Sequence, residues 1–198
     1  MREVQDELAT PQVPAKVAIL AAMNISDELF AEKRDRDKIK NEVERKVSSL
    51  IEIVEESIEQ GAFSMSTGLT GAPGMYADTD EIVALAEVMA GYDNAFYVTH
   101  ARVWGGNHIG AIQEAMEIGF RAQVPVQFSH MAIIDPRAYG DGEQMLDVIE
   151  RARSDGLDAT YDVYPYTAAG SGLAQSLPSW IQVGGDQEML RIFYYLVG

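Results

Sequence analysis

From residue 43 onward the chain repeats one arrangement four times: an apolar stripe at helical spacing, then a short run with the length of a strand. Val43, Val47, Leu50, Ile51, Val54 and Ile58 form the first stripe, Gly61 stops it, and AFSMS (62–66) follows. Thr79 or Asp80 is expected to cap the second helix, which carries Ile82, Leu85, Ala86 and Met89 and ends at Gly91 before AFYVTH (95–100). Ile109, Ile112, Met116 and Phe120 precede VPVQFSH (124–130); Met145, Val148, Ile149 and Ala152 precede Gly156 and DATYDVYP (158–165). The strand-like runs recur about every 30–35 residues, the size of one βα repeat. Their nearly continuous apolar character predicts parallel strands buried on both faces, joined by right-handed crossovers. The fold class is therefore α/β, either a doubly wound sheet or part of a TIM-like barrel. At 198 residues the chain is shorter than a complete barrel of ~250.

The four loops after these strands are rich in glycine and aromatic residues, and loops at the carboxyl ends of parallel strands are where α/β proteins place their sites. Residues 1–44 form a separate segment whose architecture the sequence does not give; residues 45–198 form the repeat domain. Within the first segment VAILAAM (17–23) fits a strand or a buried helical turn equally, and residues 31–42 read as a solvated helix face.

Fifteen basic against 31 acidic residues leave a net charge of −16, which repels phosphate backbones and predicts no nucleic-acid partner. No apolar run of ~20 residues predicts a membrane span, and the N-terminus lacks the basic start and apolar core of a signal peptide, so a cytoplasmic location is expected. With no cysteine, disulfides, zinc fingers and a thiol nucleophile are excluded. Neither a G-x-G-x-x-G nor a G-x-x-x-x-G-K-[ST] fingerprint is present, and SMSTGL (64–69) lacks the nucleophile elbow of a serine hydrolase.

Any transition-metal site must then use histidine and carboxylate, and the histidines number three. His100 and His130 close successive predicted strands, which lie ~4.8 Å apart in a sheet, so both imidazoles are placed to reach one ion. His108 opens a helix after GGN and is expected at the surface or in support of another residue. Asp162, within the fourth strand-like run, reads as polar support in preference to a ligand. Tyr164 and Tyr166 lie at the carboxyl edge, where their hydroxyls suit a substrate carboxylate or carbonyl. A catalytic zinc ion usually takes three protein ligands, so the pair needs a carboxylate or a further part of a larger protein.

EQGAFSMSTGL (59–69), PGMYADTDEIVALAEV, FYVTHAR, VPVQFSHM, DATYDVYPYTAAGSGL and LPSW occur in that order. Over about residues 45–185 this series resembles the N-acyl-D-amino-acid deacylases, or D-aminoacylases, of the amidohydrolase superfamily. The resemblance implies a metal-bearing (β/α)8 barrel with a small β-sandwich, of which this chain matches about strands four to seven. It implies zinc as cofactor, with His100 of T-H-x-R and His130 of S-H as ligands. Tyr164 and Tyr166 would line the substrate pocket, and Arg102 would either contact substrate or support its loop. The implied reaction is hydrolysis of the amide of a small N-acyl-D-amino acid by a water made acidic on zinc, with an aspartate moving the proton.

The family's H-x-H, its cysteine ligand and the aspartate of its eighth strand have no counterpart here. The general-base aspartate is thus expected outside this chain, and the chain is expected to be a fragment inactive alone. Gly71, Trp104 and Ala132 stand where many relatives carry tyrosine, an acidic residue and lysine. Two alternatives stand beside the deacylase reading: a non-catalytic half-barrel that self-associates into a homo-oligomer through its open sheet edges, and another amidohydrolase, such as a dihydroorotase-like cyclic amidase.

Overall fold

A computed structural model describes residues 14–103, 106–172, 174 and 177–197. The chain parts into two compact units, with the boundary between Ser49 and Leu50.

The first unit is occupied by helix α1 (Pro14–Glu59), which continues into the second. Pro14 opens it, a position where the missing N–H costs no hydrogen bond. VAILAAM lies inside this helix and is not a strand; the apolar run is too short for periodicity to have told the two apart. Residues 32–42 are exposed, as a charge-dense helix face should be. Ion pairs Lys38–Asp35, Lys40–Glu44 and Lys46–Glu42 lie along it at helical spacing between exposed side chains, where solvent screening leaves each of them weak.

In the second unit α1 ends by placing Val54 and Ile58 against the core. Gly61 then turns the chain at φ +106°, a conformation that favours glycine. Strands β1 (Ser64–Gly68), β2 (Phe96–His100), β3 (Val126–Phe128) and β4 (Ala159–Tyr161) pair in parallel in the order β1-β2-β3-β4. Helices α2 (Thr79–Ala86), α3 (His108–Ala122) and α4 (Gly142–Ser154) form the connecting layer. This is the α/β repeat of a partial TIM-like barrel, and α5 (Ser179–Gln182) and α6 (Gly185–Val197) follow it. Among the described residues no helix is long and apolar enough to cross a membrane.

Ile82, Met89, Ile112, Ile118, Met145 and Ile149 are fully buried and pack with Tyr97, Val126, Phe128 and Ala159 into one core. Phe120, expected in the third stripe, is 42% exposed; Ile118 and Ala122 occupy the buried face instead. Gly119 permits the close approach of α3, since a Cβ there would stand 2.3 Å from Val126 Cγ2. The second helix is capped by Asp78 and not by Thr79 or Asp80. Its carboxylate accepts from Glu81 N at 2.8 Å while Glu81 accepts from Asp78 N at 3.0 Å, a reciprocal capping box. The expectation of burial on both faces holds for one only. Tyr97, Thr99, Val126 and Phe128 are buried, whereas Ser66 and Thr160 on the intervening positions are exposed and Gln127 is half-buried.

Candidate metal centre

His100 is the last residue of β2, paired with Gly68 of β1, and Leu69 N donates to His100 O at 2.9 Å. His130 lies two residues past the end of β3. Ser129 N still donates to Thr99 O at 3.0 Å, and the chain then turns through His130 at φ +41°. A left-handed backbone is uncommon for histidine and costs about 1–2 kcal/mol, so it persists only where neighbours hold it. Asp162 does so: its Oδ1 accepts from His130 N at 2.6 Å, its main-chain carbonyl accepts from Met131 N at 2.7 Å, and its Oδ2 accepts from Gln127 Nε2 at 2.7 Å. The strand expected over 158–165 stops at Tyr161; Asp162 N still donates to Phe128 O at 3.2 Å, while its carbonyl and carboxylate go to the His130 turn and Gln127.

The two imidazoles meet. His100 Nδ1 and His130 Nε2 are 2.7 Å apart, with ring centroids 4.4 Å apart and planes inclined at 60°. The other nitrogen of His100, Nε2, lies 2.7 Å from Thr70 Oγ1. Burial, and after it the charge of the neighbouring His130, pushes the His100 imidazole below its ordinary value. That favours the neutral ring, the form that ligates metal. Among the described residues no group of three or more histidine, aspartate and glutamate side chains could hold an ion. The donor types suit part of a zinc site, two ring nitrogens at one rim, but at 2.7 Å they stand in hydrogen-bond contact, closer than the ~3.3 Å between two ligands of a tetrahedral zinc, and no third protein ligand joins them among the described residues.

Other expected residues fall elsewhere. The Arg102 guanidinium is taken up by Glu114 at 3.2 Å and by the carbonyls of Met75 at 2.6 Å and Ala77 at 2.7 Å. Thr79 Oγ1 donates to the same Glu114 at 2.9 Å. Arg102 therefore ties the loop after β1 to α3. Tyr164 is half-buried and Tyr166 is 73% exposed. His108 is buried, against the surface reading: its Nε2 accepts weakly from Ile134 N at 3.4 Å, and its Nδ1 has no partner among the described residues. A cavity of about 500 Å³ opens against Gly71, Pro73, Tyr76, Gln182 and Asp186.

Sequence reasoning passed over Thr70 and Glu114. Thr70 carries no local signal, since its partner lies 30 residues away. Glu114 offered one: it is a charged residue on α3 set between the buried positions Ala111 and Ala115.

Comparison with known proteins gives two kinds of match, which overlap along the chain. Residues 1–57 match the family model described as cell division protein ZapA. An N-acyl-D-aspartate deacylase of Alcaligenes xylosoxydans xylosoxydans is 29% identical over 165 residues, covering 83% of this chain and 32% of the relative. A D-aminoacylase of the same organism is 30% identical over 132 residues, covering 67% and 27%. A D-aminoacylase crystal structure superposes with a TM-score of 0.58 at 28% identity, covering 62% of this chain and 25% of that one. The α/β unit resembles part of a D-aminoacylase barrel. An N-acyl-D-glutamate deacylase from Bordetella bronchiseptica, solved with zinc and a phosphonate mimic of the tetrahedral intermediate, superposes with a TM-score of 0.57 at 29% identity, covering 62% and 26%. The chain spans a third or less of the length of the curated relatives it matches.

Proposed function

We propose that the α/β unit carries the His100–His130 half of a zinc-dependent amidohydrolase site for N-acyl-D-amino acids, and that this chain alone does not turn over substrate. One observation carries the reading: His100 Nδ1 and His130 Nε2 face each other at 2.7 Å from the carboxyl ends of adjacent parallel strands. His100 and His130 would hold the zinc. When bound, such an ion supplies a Lewis acid for the amide carbonyl and lowers the pKa of a bound water. The protein's own residues do the positioning. Asp162 holds the backbone of His130, and Arg102 fixes the loop that brings Thr70 to His100, the loop-supporting role its contacts favour. Tyr164 and Tyr166, on the segment after β4, are proposed to face the substrate's acyl or carboxylate end. The general base lies outside the residues of this chain.

Calorimetric titration with Zn²⁺, combined with an assay for release of D-amino acid from N-acetyl-D-amino acids, tests the reading. Zinc binding lost in His100→Ala and in His130→Ala, with no turnover by the 198-residue chain, is the expected result. Zinc affinity unchanged in both variants, or robust turnover retained in His100→Ala, overturns it.

The ZapA match runs over residues 1–57, past the end of the N-terminal segment expected over 1–44. The sheet order leaves β1 and β4 each with one described neighbour, which favours self-association as the second reading. Solution mass by size exclusion with light scattering decides that point: a dimer or larger supports it, and a monomer ends it.

A further inference from the structure

A cavity of about 500 Å³ lies between the loop after β1 and the α5–α6 pair, and the two histidines make no use of it. Gly71 lines it, one residue beyond Thr70, whose Oγ1 stands 2.7 Å from His100 Nε2. Gln182, the last residue of α5, and Asp186, in the first turn of α6, line it from the other segment. Gly184 and Gly185, at φ +94° and +78°, turn the chain between the two helices and so bring both residues to one cavity. Pro73, Ala174 and Met189 make much of the remaining lining apolar.

Gln182 and Asp186 both offer acceptors. Gln182 is 7% exposed, and its Nε2 donates to Leu177 O at 2.9 Å. A carbonyl accepts only, so this bond fixes which end of the amide is nitrogen. It leaves Oε1, which no described residue engages, to the cavity. An oxygen so shielded from water costs free energy until a donor reaches it. Asp186 adds a carboxylate, and no lysine, arginine or histidine among the described residues lines the space. The start of α6 supplies main-chain N–H groups worth about half a positive charge. Asp186 outweighs them with a full unit, and Glu188 in the same turn is already paired with Arg191 at 2.6 Å. The cavity therefore combines net negative charge with apolar walls.

We propose that this cavity binds a primary ammonium carried on a short alkyl chain, with Gln182 Oε1 and the Asp186 carboxylate as its acceptors. An ammonium has three N–H donors and no acceptor, which suits two oxygen acceptors, while the alkyl chain covers Pro73, Ala174 and Met189. A ligand ending in a carboxylate meets Asp186 with like charge. The ammonium has two sources, a free alkylamine or the side chain of an N-acyl amino acid reaching in from the His100 edge. Only the second source rests on the function proposed above.

The test uses the full chain at about pH 7, where an alkylammonium keeps its proton, and follows the amides of Gly71, Gly184 and Gly185 in ¹⁵N–¹H correlation spectra. The probes are pentylammonium, N-acetyl-D-lysine, N-acetyl-D-norleucine, which has the same alkyl chain without the nitrogen, and N-acetyl-D-glutamate. Pentylammonium and N-acetyl-D-lysine are expected to shift all three glycines and to bind about threefold or more tighter than the other two. Asp186→Asn, at an exposed position, should weaken both ammonium probes about three- to fivefold, the range of a solvent-screened charge contact, and leave N-acetyl-D-norleucine unchanged. Ammonium probes that bind no tighter than N-acetyl-D-norleucine, or as tightly in Asp186→Asn as in the parent, overturn the proposal. So does the absence of shifts at these glycines with every probe. His100→Ala separates the sources. Pentylammonium binding retained there keeps the cavity site even where zinc titration removes the metal reading. N-acetyl-D-lysine binding that falls there, while pentylammonium binding does not, assigns the ammonium to the substrate's side chain.

Discussion

Asp162 holds His130 by its backbone and not by its ring: the carboxylate Oδ1 accepts the His130 N–H at 2.6 Å. The same carboxylate takes Gln127 Nε2 through Oδ2. A residue of β3's face, the turn after β3 and the end of β4 are thereby tied at one point, and His130 is kept at positive φ with its Nε2 turned toward His100. Removing Asp162 should release the turn before it disturbs the core.

Asp162→Ala is expected to cost about 1–2 kcal/mol, the value of a charged hydrogen bond reduced for its exposure. It should also weaken zinc binding about tenfold or more. Asp162→Asn should fall between, since its amide oxygen still accepts from His130 N while its NH₂ meets the Gln127 donor. Urea unfolding and zinc titration measure both effects. A parental midpoint and affinity in Asp162→Ala would remove this residue from the site.

Arg102 makes a second prediction. Its guanidinium serves a carboxylate and two carbonyls at once, a geometry a lysine ammonium cannot span. Glu114 is largely shielded, with 18% of its side chain exposed, so it would lose its cation in a place water reaches poorly. Arg102→Met is expected to destabilise by about 2–3 kcal/mol, and Arg102→Lys by more than half as much. Hydrogen exchange should show early opening of residues 70–79 in both. A loop protected as in the parent would show that other contacts hold it.

How much of this was legible depends on the range of the interaction. Ile82, Ile112, Met116, Met145 and Ile149 repeat at helical spacing and are buried as that spacing requires, so the order of elements followed from period alone. His100 and His130 were legible as a pair because each closes a strand-like run of successive repeats, although the β2–β3 register sets His100 level with Ser129, one residue before His130. Their fine placement was not: the turn at His130 is set by Asp162, 32 residues on. The Asp78 cap was missed by one residue because Asp78, Thr79 and Asp80 are all good caps, and only the reciprocal bond to Glu81 decides among them. Phe120 was misplaced because Gly119 brings Val126 and Leu157 close to α3 and rotates its buried face away from the larger side chain.

Gly119 gives a third prediction. A Cβ there would meet Val126 Cγ2 at 2.3 Å and Leu157 Cδ1 at 3.0 Å, both in the core. Gly119→Ala gains up to about 1 kcal/mol of helix propensity and is opposed by about 1–3 kcal/mol of overpacking. A net loss of about 1–2 kcal/mol is expected from these terms. Adding Val126→Ala opens the nearer contact, so the double variant should lose less than the sum of the singles, a coupling readable in a double-mutant cycle. Simple additivity would mean that α3 moves away from β3 at no cost.

The last prediction concerns metal and folding together. An ion that binds the folded chain alone stabilises it by RT ln(1 + [L]/Kd), about 2.7 kcal/mol at a hundredfold excess over Kd. The unfolded chain competes poorly, because it has no cysteine and its histidines number three. The increment should therefore be visible in thermal unfolding of the parent as a zinc-dependent rise in Tm that a chelator reverses. His100→Ala and His130→Ala should each abolish it, since a lone imidazole is a weak site, and the double variant should show no additional loss. His108→Ala should keep the increment, although this variant starts from a lower Tm because His108 is buried. A zinc-dependent rise that survives both His100→Ala and His130→Ala would place the ion elsewhere on this acidic chain and detach the metal from the β2–β3 edge.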